Sequence, residues 1–164
     1  MRAKAYAKVN LGLRVLAPDA DGIHPLRGLF QTIDWHDEVM LEDAESDSIE
    51  VPGGGAPENE SNLAWRALAA ARKLGRVDRP TRLTLSKQIP SPAGLGGGSA
   101  DAATALHLAA RRFSVSFDDV RRLAVDLGSD VPFAFVGGTA LVTGRGEFVT
   151  PRTDATGFAL AVVV

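Results

Sequence analysis

The residues with the clearest chemical potential are glycines. The run Pro90-Ser-Pro-Ala-Gly-Leu-Gly-Gly-Gly-Ser-Ala-Asp101 places four glycines in the five positions 94 to 98, with only Leu95 between them. Without a Cβ, such a backbone can take positive φ and approach a ligand closely. Successive N–H groups at the bend, joined to the N-terminus of a following helix, form an anion site, and phosphate is the anion that fits. A nucleotide-binding protein is the first expectation. Two further places carry chemistry-bearing side chains. Lys8 and Asn10 stand two apart in an alternating segment, which puts them on one strand face. Asp130 sits in Gly128-Ser-Asp-Val-Pro132, where it serves either as a helix N-cap ahead of a first-turn proline or as a carboxylate base.

These residues need elements to hold them. Residues 5–15 alternate, with Ala5, Ala7, Val9, Leu11, Leu13 and Val15 on one face and Lys8, Asn10 and Arg14 on the other, so a half-buried strand is expected. Asp19-Ala-Asp21-Gly22 reads as a turn. Strands are expected over Arg27–Asp34, Asp37–Glu42 and Ser48–Val51, and Pro52–Pro57 is a loop. Ser61 or Asn62 caps a helix that runs to about Leu74, with Gly75 as its stop. Arg82–Lys87 is a strand entering the glycines, and Ser99–Phe113 is an alanine-rich helix, with Ser99 a candidate N-cap. Ser116 caps Phe117–Leu127, which Gly128 ends. A hairpin is expected around Gly144-Arg-Gly146, and Phe158–Val164 reads as a final apolar strand. Strands come first and helices later, which indicates an α+β fold.

Composition removes several classes. With 18 basic and 20 acidic residues well mixed, the chain has no basic field for nucleic acid. No apolar run approaches a membrane span, so no membrane partner is expected. The N-terminus lacks the apolar stretch of a signal peptide, and a cytoplasmic location is expected. With no cysteine there is neither a disulfide nor a thiolate metal site. Asp34, His36 and Asp37 cluster in sequence, but they straddle an expected turn and read as surface residues.

The glycine run is not a P-loop, because no lysine follows it, and Ser99 stands where a dinucleotide fingerprint needs its last glycine. The protein-kinase set lacks its other members. Pro90-x-x-Ala-Gly-Leu-Gly-Gly-Gly-Ser-Ala-Asp-Ala-Ala103 instead resembles the phosphate loop of the galactokinase, homoserine kinase, mevalonate kinase and phosphomevalonate kinase superfamily. Three consecutive glycines before Ser-Ala-Asp-Ala-Ala narrow the resemblance to its 4-diphosphocytidyl-2-C-methyl-D-erythritol kinase family. Four further segments resemble that family in the same order: Ala7-Lys8-Val9-Asn10-Leu11, Asp21-Gly-Ile-His24 with Leu29-Phe-Gln31, Leu127-Gly-Ser-Asp-Val-Pro-Phe133, and Gly144-Arg-Gly-Glu147.

The resemblance implies an N-terminal ATP-binding kinase domain over residues 1–164, of the ribosomal protein S5 domain 2-like type. Such a domain has a mixed sheet packed against helices, and a second domain would begin close to Val164. It implies ATP and Mg²⁺ as cofactors and a small-molecule substrate with a cytidine diphosphate group, phosphorylated on its 2-hydroxyl in the non-mevalonate isoprenoid pathway. Pro90, Ala93, Gly94, Leu95, Gly96, Gly97, Gly98 and Ser99 would hold the triphosphate, with Ser99 facing Mg²⁺. Asp130 would accept the hydroxyl proton and contact substrate, with Lys8 beside it. Asn10 would hold substrate and His24 would recognise the cytidine base. Ile23 stands where the family usually has a tyrosine. Asn62 and Lys87, by residue type a helix cap and an edge lysine, would lie around the adenine. Two rival readings are a nucleotide-binding module without turnover and a sister kinase acting on another small alcohol. An apolar final strand with an unpaired edge would also favour a homodimer.

Overall fold

The structure is a computed structural model that describes residues 1–157 and 159–163. Its spine is β2 (Leu26–Asp43), an 18-residue strand. One edge of β2 pairs antiparallel with β1 (Arg2–Val15) along almost its whole length. The other edge is shared. The half from Glu38 to Asp43 pairs with β4 (Thr81–Ser86), and the half from Leu26 to Gln31 pairs with β5 (Thr139–Gly144). β3 (Ser48–Glu50) extends the sheet beyond β4 in parallel, and β6 (Phe148–Arg152) closes the other side against β5. The sheet is therefore mixed, as the α+β reading requires.

Among the described residues there are four helices. α1 (Leu63–Gly75), α3 (Phe117–Leu127) and α4 (Val131–Val136) surround α2 (Gly97–Phe113), which also packs on β1 and β2. Alanines make this central position possible. Ala100, Ala102, Ala103, Ala105, Ala109 and Ala110 are all buried, so α2 is covered nearly all round and neighbouring backbones come close. The expected caps are in place: Asn62 accepts from the Ala64 and Trp65 amides, and Ser116 accepts from Asp119.

Three expectations need correction. Arg27–Asp34 and Asp37–Glu42 are one strand, because the Trp35-His36 join between them holds neither glycine nor proline and β1 pairs on both sides of it. Asp37 is consequently not a surface residue but fully buried, on the face it shares with Val39 and Leu41; Asp34 is exposed and His36 half-buried. The alternation of β1 also breaks. Its register with β2 shifts between Tyr6 and Lys8 and again between Asn10 and Gly12. Bulges of this kind re-aim side chains: Lys8 is buried, whereas Leu11, Leu13 and Val15 are exposed. Finally, residues 159–163 form no strand; Phe158 and Val164, the ends of the expected one, lie outside the described residues.

Candidate active site

The strand β4 delivers the chain into a loop, residues 87–96, that ends in the first turn of α2. Leu95 anchors this loop. Its side chain is buried with Ala7 and Ile89, and its carbonyl accepts from the Lys8 amide at 2.9 Å. Gly94 and Gly96 take φ of +69° and +71°, conformations that side chains rarely adopt. Space is tight at Gly96 as well, since a Cβ there would lie 3.0 Å from Lys8 Cγ. The helix starts at Gly97, two residues before the expected Ser99. Gly96 is its N-cap and no side chain caps it. The first bond back into the helix comes from the Ala100 amide to the Gly96 carbonyl, at 2.9 Å. The amides of Gly97, Gly98 and Ser99 are thus the orphan donors of a 17-residue helix, at the positive end of its dipole. A Cβ on Gly98 would meet nothing within 4 Å, so the surface there is open.

These residues form one wall of a cleft of about 490 Å³. Lys8 and Asp130 lie on the same cleft, 3.3 Å apart from Nζ to Oδ2. Lys8 is held from several sides: its Nζ donates to Asn10 Oδ1 at 3.3 Å and stands 5.1 Å from the centre of the Phe30 ring. Asp130 does occupy the N-cap position of α4, yet its side chain makes no cap hydrogen bond and pairs with Lys8 instead.

Beneath the loop lies a buried charged network. Lys87 pairs with both Asp37 and Asp101, and all three side chains are less than a tenth exposed. Asp37 Oδ1 also accepts the amides of Gln88 and Ile89, which fixes the direction in which the chain leaves β4. Burial raises the Asp101 carboxyl to about 6 against the pull of Lys87. For Lys87, burial lowers the ammonium, but Asp101 and then Asp37 outweigh it and the net shift is upward. Lys87 is therefore no edge lysine, and β4 itself runs between β3 and β2.

Of the expected residues, the structure brings Lys8, Lys87, the glycine loop and Asp130 onto one cleft; sequence reasoning missed Asp101 on its wall and Asp37 in the network beneath it. A signal existed for Asp37, a lone charge on the apolar face of a strand. Asn62 lines the cleft as well, but both of its polar ends are engaged, Oδ1 in the helix cap and Nδ2 with the Pro57 carbonyl. His24 is not on the cleft wall. It is exposed on the β1–β2 loop, with Nδ1 2.9 Å from the Leu16 carbonyl.

Among the described residues no group of three or more His, Asp or Glu side chains could hold a metal unaided. The oxygen donors on the cleft nevertheless suit Mg²⁺ carried on a nucleotide. Asp101 Oδ1 is buried without a hydrogen-bond partner among the described residues, and Ser99 lies on the same wall.

The fold matches that of known proteins. The family description "GHMP kinases N terminal domain" matches residues 62–138. A mevalonate kinase from Methanococcus jannaschii superposes with a TM-score of 0.66 over 96% of this chain and 56% of that one; at 13% identity the likeness is one of fold. The chain is thus built as the N-terminal domain of a GHMP kinase. Closer likenesses narrow this. A crystal structure of 4-(cytidine 5'-diphospho)-2C-methyl-D-erythritol kinase matches with a TM-score of 0.80 and 37% identity, over 93% of this chain and 55% of that one. The 4-diphosphocytidyl-2-C-methyl-D-erythritol kinase of Pseudothermotoga lettingae is 44% identical over 154 residues, which is 90% of this chain and 54% of the relative. Over most of its own length the chain is similar to 4-diphosphocytidyl-2-C-methyl-D-erythritol kinases, and it spans about half the length of the curated relatives it matches.

Proposed function

We propose that this chain binds ATP and carries the phosphoryl-transfer residues of a kinase acting on 4-diphosphocytidyl-2-C-methyl-D-erythritol. The observation that carries the reading is the Lys8–Asp130 pair on the same cleft as the uncapped N-terminus of α2. The triphosphate lies against the amides of Gly97, Gly98 and Ser99, where the helix dipole and the orphan donors favour negative charge. Mg²⁺ bound to ATP would neutralise phosphate charge, and Ser99 is the residue that would hold it.

The substrate hydroxyl oxygen forms a bond to the γ-phosphorus as the bond from that phosphorus to the β–γ bridging oxygen breaks. The hydroxyl proton passes to the Asp130 carboxylate, and ADP leaves. Lys8 places a cation beside this exchange and stabilises the charge spread over the transferring oxygens. Its confinement by Gly96, Asn10 and Phe30 means that little reorganisation is needed at that moment. Asn10, hydrogen-bonded to Lys8, lies one contact from the pair and would hold substrate. His24, on its own loop, would face the cytidine end.

The test is ADP release from ATP and Mg²⁺ with and without the cytidylyl alcohol. The reading predicts release that depends on that alcohol. Binding of ATP with no release would support a nucleotide-binding module without turnover. Release with homoserine or mevalonate instead would assign a sister kinase.

A further inference from the structure

The Gly144-Arg-Gly-Glu147 turn joins two regions that the chemistry above keeps apart. On one side is the loop from Leu16 to Pro25, which carries Ile23 and His24. Asp19 organises this loop: its Oδ1 accepts the amides of Asp21 at 2.9 Å and Ile23 at 3.0 Å. Arg145 grips the same loop from outside, 2.9 Å from Asp19 Oδ2 and 2.6 Å from Asp21 Oδ2. A single guanidinium nitrogen, Nη2, spans the two carboxylates and ties Asp19 to Asp21 through charge-assisted hydrogen bonds. Arg145 is itself held, because its backbone amide donates to Glu147 Oε2 at 2.5 Å.

On the other side is Ser129, the residue before Asp130. Gly146 is buried against it so closely that a Cβ would fall 2.1 Å from the Ser129 carbonyl oxygen. Its φ of +112° is also one that side chains rarely adopt. One two-residue segment therefore presses on the backbone that presents Asp130 and clamps the loop that presents His24.

We propose that Arg145 and Gly146 are positioning residues that set the loop bearing His24 against the segment bearing Asp130. They thereby fix how the acceptor end of the substrate reaches the base. The inference rests on the kinase reading for the roles of His24 and Asp130, but the mechanical link stands on the contacts alone.

Steady-state kinetics and hydrogen exchange on the full chain test it together. Arg145→Ala is expected to raise KM for the cytidylyl alcohol about fivefold, as loss of an exposed two-carboxylate contact would, while kcat and KM for ATP stay within about twofold. Arg145→Lys should recover part of the loss, since an ammonium can meet one carboxylate. Gly146→Ala should lower kcat, because the displaced Ser129 moves Asp130. In exchange, Arg145→Ala should speed the amides of Asp21 and Ile23 and leave those of α2 unchanged. An equal rise in both KM values, or unchanged exchange at Asp21 and Ile23, would overturn the proposal. If the wild-type chain phosphorylates no cytidylyl alcohol, the kinase reading fails by itself, and the exchange result still decides the link.

Discussion

The two ends of the site are held by different physics. The phosphate end rests on the buried triad Lys87, Asp37 and Asp101, whereas the loop carrying His24 rests on Arg145, Asp19 and Asp21, all at least partly exposed. A buried charged group left without its partner is costly, so the first arrangement resists any change of geometry. Exposed pairs contribute little and are screened by salt, so the second arrangement is soft. The difference suits the proposed chemistry. Triphosphate must lie in one place, while the acceptor loop can give a little and adapt to its substrate.

That contrast can be broken, most severely at Asp37. Asp37→Ala strands the Gln88 and Ile89 amides and half of the Lys87 pairing, and should destabilise the domain by about 3–5 kcal/mol, read from the urea midpoint. Lys8→Met comes next. Removing one preorganised cation from the reacting centre should cost about 10²-fold in turnover, or about 2.7 kcal/mol, with a smaller effect on ATP affinity. Gly96→Ala meets both a positive φ and the Lys8 stem, and should destabilise by about 1–2 kcal/mol, visible as a lowered Tm.

Gly98→Ala sharpens the comparison from the opposite side. Nothing obstructs a Cβ there and the residue is helical, so the free protein should be unharmed or gain about 0.5 kcal/mol. A loss of ATP affinity in that variant would come from the nucleotide alone. A pH dependence arises from Asp101. Its folded pKa, about 6, lies above the ordinary 3.8, so between these values the folded state binds more protons than the unfolded one. This group's contribution to stability therefore falls as pH rises through that window. Asp101→Asn should remove that slope, as measured by urea midpoints at several pH values.

Much of this was legible in the sequence. Caps at Asn62 and Ser116, the glycine loop and the alanine-rich helix announce themselves through local chemistry, and local chemistry decides them. Lys8 was placed on the right strand but on its less apolar face. Two bulges turn it inward, and a bulge depends on a partner strand that one segment does not reveal. The role of Asp37 is hidden for a related reason: an expected turn beside it masks the continuity of β2, and its partners Lys87 and Asp101 lie far along the chain. The turn at Arg145 was visible as a motif, but its grip on Asp19 and its pressure on Ser129 exist only in three dimensions.

The central claim is that the glycine cleft holds the nucleotide and Asp130 serves the transfer. Asp130→Asn separates the two, because the amide keeps the shape and loses the ability to take the proton. Turnover of the cytidylyl alcohol should fall about 10³-fold while ATP affinity stays within about threefold. A variant that turns over at the wild-type rate, or one that loses ATP affinity in step with activity, would contradict the account.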